Sequence, residues 1–145
     1  MCSLKRFSSK ELTLIGVSLY SCEGTRLRRD KRRKNLVYHW VIEFTNSNPR
    51  LIQVFVVFLR KVIKIDENRL KGQLFIYDNL VQKQLEKFWS EVAGIPLLNF
   101  NKTIILKQKN EKYKPNPNGT FKIRYHSKEA VQRLIDLQKK ILGDF

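Results

Sequence analysis

Apolar residues at Leu12, Ile15, Leu19 and Cys22 recur every three or four positions. That spacing keeps side chains on one face of a helix. Ser8 or Ser9 offers a cap oxygen at the start, and Gly24 a stop just past the end. The pattern predicts a helix over residues 10–23. The run from Leu36 to Thr45 is rich in Val, Ile, Tyr, Trp and Phe with polar residues between them, which is strand chemistry. With the stretch before it, it predicts a β-hairpin. Asn48 followed by Pro49 is a helix start. Leu51, Ile52, Phe55, Phe58, Leu59 and Val62 then share a face, and Val54, Val56 and Val57 fill much of the rest. A helix apolar nearly all round is expected deep in the core.

Leu70 to Tyr77 reads as a strand. Val81, Leu85, Phe88, Trp89 and Val92 return to helical spacing, and Gly94 ends that helix. Lys102–Lys109 and Thr120–Tyr125 read as two strands of a second hairpin about the turn Asn116-Pro117-Asn118-Gly119. Ser127 caps a last helix with Val131, Leu134, Ile135, Leu137 and Ile141 inward. The predicted order is αββαβαββα, an α+β class. The 145 residues suit one core. No repeat, low-complexity run or long linker divides them, so one domain over residues 1–145 is expected.

Charge changes this picture. There are 29 Lys and Arg against 13 Asp and Glu, a net +16. A small domain so charged repels itself unless an anionic partner is present, and nucleic acid is the usual one. With 42% hydrophobic residues it is not a disordered basic tail. A membrane partner fits poorly. The apolar run Leu51–Leu59 is interrupted by Gln53, flanked by Arg50 and Arg60, and far short of the ~20 residues of a spanning helix. The basic residues of Met1–Lys10 are not followed by the apolar stretch of a secretory signal before Glu11. Cys2 and Cys22 make neither a disulfide framework nor a zinc site. The expected compartment is reducing: cytoplasmic and nucleoid-associated, or organellar or nuclear in a eukaryote.

The charge is concentrated. Arg26 to Lys34 holds seven basic residues and one acid. Residues 102–125 carry Lys102, Lys107, Lys109, Lys112, Lys114, Lys122 and Arg124 against Glu111 alone. Alternation along strands puts such side chains, with aromatics, on a solvent face. A basic β-ribbon fits the major groove of a duplex. The candidate contacts are Arg26, Arg28, Arg29, Arg32, Tyr38, Trp40, Lys107, Lys109, Lys112 and Lys114. His39 and His126 are the only histidines, and neither has a partner ligand at metal spacing.

The end of the first helix, Val17-Ser18-Leu19-Tyr20-Ser21-Cys22-Glu23-Gly24, resembles the core motif of the LAGLIDADG homing endonucleases. The helix then runs into a hairpin and the hairpin into a helix, as in that family. Phe44-Thr45-Asn46-Ser47-Asn48-Pro49-Arg50-Leu51-Ile52, Phe88-Trp89-Ser90, Gly94-Ile95-Pro96 and Gly119 to Tyr125 are similar to small stand-alone members. The resemblance covers about residues 12 to 140. It implies an αββαββα core with an inserted strand and helix, and an antiparallel, saddle-shaped sheet. It implies a homodimer that hydrolyses both strands of a near-palindromic DNA site with Mg²⁺ and no small-molecule cofactor. Glu23 of each subunit would bind metal, with the Cys22 carbonyl as a further ligand. Asn46 would orient the attacking water. Lys102, Lys122 and Arg124 are candidates for a basic residue beside the scissile phosphate. Serine at position 18 departs from the family's usual glycine.

The motif also has a physical reading. Ser18 and Cys22 are small and four apart, so they share a helix face with Ile15 and Leu19 beside them. Small residues at that spacing let two helices approach closely. A carboxylate at a helix C-terminus is disfavoured by roughly 0.3–1 kcal/mol, and two near one axis repel. A divalent cation relieves both. An ordinary exposed glutamate before a capping glycine is the plainer reading of the same residue. Two rival functions accompany the endonuclease reading. One is a non-cleaving DNA-binding regulator or RNA-splicing maturase on the same fold. The other is a basic RNA- or ribosome-associated protein without an active site.

Overall fold

The computed structural model describes residues 6–29, 31–32, 34, 38–107 and 116–143. Helix α1 spans Ser9–Glu23. Ser8 closes its start as a reciprocal box: its Oγ accepts from the Glu11 amide at 3.1 Å, and its own amide donates to Glu11 Oε1 at 2.9 Å. Two short strands follow, β1 at Arg28–Arg29 and β2 at Tyr38–His39, paired antiparallel. The predicted hairpin is therefore present, but its strand breaks at Trp40. The longer part, β3 at Val41–Asn46, belongs to a different sheet. Residues 36 and 37 of the predicted strand lie outside the described residues.

Asn48 caps α2 (Pro49–Phe58) by accepting from the Arg50 amide at 2.9 Å. A wider turn over Leu59–Ile63 prolongs it to Lys64, which takes a left-handed conformation. The remaining elements are β4 (Lys71–Tyr77), α3 (Gln82–Ala93), β5 (Ile104–Leu106), β6 (Thr120–His126) and α4 (Lys128–Leu142). Gly94 ends α3 at φ +65°, and Ser127 Oγ caps α4 by accepting from the Ala130 amide at 3.1 Å.

The four-stranded sheet has the order β3-β6-β4-β5. The α+β class stands. Two expectations are corrected. The sheet is mixed, because β5 runs parallel to β4. In addition, β5 and β6 do not form a hairpin, since β4 lies between them. The cause is α3. A parallel neighbour needs a long crossover, and α3 supplies one between β4 and β5. The predicted turn at residues 116–119 does form, with the Gly119 amide donating to Asn116 O at 3.2 Å, but it delivers β6 to the far side of β4. Gly119 sits at φ +70°, where a Cβ would meet Phe75 O at 2.6 Å.

Burial alternates strictly along β4 and β6. Ile42, Phe44, Leu74, Ile76, Phe121 and Ile123 face the helices and form one core with Val17, Phe55, Phe58 and Trp89. Trp89 stacks on Phe121 at 5.2 Å between ring centres, and Phe44 on Phe55 at 4.4 Å. The predicted burial of α2 is found: Ile52, Phe55 and Phe58 are 0% exposed. Gly16 brings α1 against α2, for a Cβ there would lie 2.1 Å from the Phe58 ring. Among the described residues, the opposite face carries the half-buried positions of this alternation and is the open face of the sheet. Among the described residues no helix is long and apolar enough to cross a membrane.

Candidate functional site at the end of the first helix

Glu23 is the last residue of α1, and Asn46 the last of β3. They are 23 positions apart in the chain. Phe44 bridges Gly24, and the Thr25 amide donates to Glu43 O at 3.0 Å. The chain leaving α1 thus runs back along β3 and brings the two side chains together. Asn46 Nδ2 donates a hydrogen bond to Glu23 Oε2. The other side of the amide, Oδ1, accepts from the Asn48 backbone at 2.8 Å. Asn46 is therefore held from both ends, between the end of α1 and the cap of α2. Glu23 is exposed, so its carboxylate can meet an incoming group.

The carbonyls of the last helical turn lack intrahelical amides by geometry. Tyr20 O is taken by the Gly24 amide at 2.8 Å, while the Cys22 carbonyl lies beyond it. Tyr20 fixes the exit of the helix: its hydroxyl donates to Thr25 O at 2.5 Å. Burial pushes the Tyr20 phenol up to about 12, against a lowering by a backbone hydrogen bond at Glu43 that the charge of the Glu43 side chain only partly offsets.

A single protomer offers one carboxylate here. No group of three or more His, Cys, Asp or Glu that could hold a metal occurs among the described residues. Mg²⁺ is commonly held by one or two carboxylates with water and phosphate oxygens. With Glu23 as its one carboxylate, a cation here would need further ligands from outside this protomer.

Lys102, Lys122 and Arg124 are the candidates for a basic residue near a scissile phosphate, and alternation along β6 (Thr120–His126) sets the last two apart from the buried Phe121 and Ile123. Lys122 and Arg124 lie on the open face of the sheet, where both reach Glu43: Lys122 Nζ is 3.4 Å and Arg124 Nη2 3.5 Å from Glu43 Oε2. Lys102 is exposed, and its carbonyl accepts from Gln73 Nε2 at 2.9 Å. The strand register arranges the open face in rows. Glu43, Arg124 and Lys71 form one, and Thr45, Lys122 and Gln73 the next; Phe75 follows with Thr120 and Ile104. Lys122 also lies over the Phe75 ring at 5.1 Å. The sequence reading passed over Glu43. Its place between the buried Ile42 and Phe44 was the available signal, because alternation puts it on the opposite face.

Of the residues expected at a subunit contact, Ser18 and Cys22 are exposed, while Ile15 and Leu19 are half-buried. Leu19 packs against its own core. Leu14, one turn before Ser18, is 43% exposed. Arg26, Arg32, Tyr38 and Lys107 are exposed. Trp40 is half-buried, 6.0 Å from the Tyr38 ring and beneath Lys128 Nζ at 5.4 Å. The backbones of Arg28 and Arg29 pair with His39 and Tyr38. Lys109, Lys112 and Lys114 lie outside the described residues.

A groove of about 360 Å³ runs between α1, residues 24–27 and α4. Its lining joins the apolar Leu27, Val131, Leu134 and Ile135 to the polar Ser21, Arg26 and Gln138. No protein-family model, curated protein or solved structure matches the chain.

Proposed function

We propose that this protein is a metal-dependent, site-specific DNA endonuclease of the LAGLIDADG type, acting as a homodimer on a near-palindromic duplex. The observation that carries the reading is the pairing of Glu23 with Asn46. An exposed carboxylate is held at a helix C-terminus by an amide that is itself fixed from behind.

Each residue then has a task. Glu23 supplies the charge that holds a divalent cation, with the Cys22 carbonyl beside it. Asn46 orients the carboxylate through the hydrogen bond from its Nδ2, and in this reading that carboxylate in turn orients the attacking water. The chemistry of a bound Mg²⁺ is activation of water and neutralisation of charge at the phosphate. The basic open face and the arm bearing Arg26, Arg32 and Tyr38 hold the duplex. Lysines there mostly position on phosphate, and arginines favour guanine edges. The exposed α1 face of Leu14, Ser18 and Cys22 is the contact between copies, which puts two Glu23 carboxylates near one axis. Two identical half-site readers require a target with two-fold symmetry.

The test begins with duplexes selected from a random pool in Ca²⁺, then transferred to Mg²⁺. The reading expects enrichment of a near-palindromic sequence and its cleavage in Mg²⁺ but not in EDTA. Enrichment without cleavage would favour a DNA-binding regulator on the same fold. Preference for RNA over duplex DNA would favour the maturase or ribosome-associated readings.

A further inference from the structure

The charge on the open face is not left free. Glu43 stands directly opposite Arg124 in the β3–β6 register, and Lys122 is its diagonal neighbour. Its side chain is only 14% exposed, and its carboxylate contacts both cations through one oxygen, at 3.4 and 3.5 Å. The contacts are at the long end for ion pairs, so one acid spans two cations without closing fully on either. Arg124 Nε is buried with no hydrogen-bond partner. Lys71 is the next cation in the same row.

A face of this kind has a specific consequence for polyanions. A loosely seated phosphate chain gains counterion release only from cations that are free to meet it. Lys122 and Arg124 are pre-paired, and Glu43 repels phosphate at the same point. We propose that Glu43 is a specificity-determining residue: it holds Lys122 and Arg124 on the sheet and suppresses binding of unselected polyanions. A ligand seated closely enough to replace Glu43 on the two cations recovers their contribution; a ligand held at a distance does not. The inference rests on the open face being the surface that meets nucleic acid.

Three variants separate this from a simple change of net charge. Glu43→Gln removes the acid. Glu91→Gln, on the exposed part of α3, removes one acid elsewhere. Glu43→Asp keeps the charge but withdraws the carboxylate by one methylene, and so breaks contacts that are already long. The first measurement is the salt at which each folded variant leaves immobilised heparin, with folding checked by circular dichroism. Glu43→Gln is expected to elute at higher salt than Glu91→Gln, and Glu43→Asp at higher salt than the parent. Co-elution of each pair would overturn the proposal, and if Glu43→Gln does not fold, Glu43→Asp decides it. The second measurement is binding of an unselected duplex. Glu43→Gln is expected to bind several-fold tighter, with the slope of log affinity against log salt steeper by about 0.9 per freed cation. Weaker binding with an unchanged slope would overturn it. If the parent binds no duplex at all, the nuclease reading fails, and the heparin comparison still decides the role of Glu43.

Discussion

Asn46 spends both ends of its amide, one on Glu23 and one on the Asn48 backbone. Loss of that side chain leaves Glu23 to choose its own rotamer. Groups that orient a metal ligand typically matter by about 10–100-fold in metal affinity. Asn46→Ala is expected to weaken Mn²⁺ binding on that scale, read from paramagnetic broadening of the Gly24 and Thr25 amide signals. Unchanged broadening would remove Asn46 from the site. Tyr20 makes a second prediction. Its phenol titrates near 10 in the unfolded chain but at about 12 when folded. The folded state keeps a proton that the unfolded state has lost. The tyrosine's contribution is therefore complete below pH 10 and falls as pH rises from 10 to 12, by up to roughly 2 kcal/mol. Tyr20→Phe should lack that fall, and parallel pH–stability curves for the two proteins would contradict it.

The elements were legible wherever local rules settle them. A cap at Ser8 or Ser9, which the structure settles at Ser8, the cap at Asn48 with Pro49, and Gly94 and Ser127 all mark helix ends that the structure keeps. What could not be read was strand order. Lys102–Lys109 and Thr120–Tyr125 looked like a hairpin because a turn signal stands between them. The register is decided instead by burial: Phe121 and Ile123 complete the core between Phe44 and Leu74, and Phe121 stacks on Trp89 of α3. No local pattern reports which strand will take the centre. The site was half legible for the same reason. Glu23 and Asn46 follow from a motif and a strand end, while the turning of Lys122 and Arg124 toward Glu43 depends on sheet register. The α1–α2 contact gives a prediction at this scale. Gly16 has no room for a Cβ beside Phe58, so Gly16→Ala should lower stability by about 1–3 kcal/mol in denaturant unfolding. Restoration by Phe58→Leu in the same chain would locate the clash.

The whole molecule combines a +16 charge with a sheet that, among the described residues, turns its half-buried positions away from the core. Charge of that size opposes self-association, so a dimer needs both a close contact and an anion between the copies. The outer face of α1 offers Leu14, Ser18 and Cys22 for the contact. Ser18→Arg adds bulk and a further positive charge on that face. It is expected to leave the chain monomeric on duplex DNA in sedimentation, while the parent is expected to bind as two copies. Two copies in the variant as well would place the subunit contact elsewhere.

Whether Glu23 performs chemistry is decided by single-turnover cleavage of the selected duplex by Glu23→Gln. The amide is nearly the same size as the carboxylate and removes only the charge. The variant is expected to bind the duplex as the parent does, while its Mg²⁺-dependent cleavage falls by at least about 10²-fold, the scale on which loss of one group facing developing charge is felt. Cleavage by Glu23→Gln at the parent's rate would contradict a chemical role for Glu23.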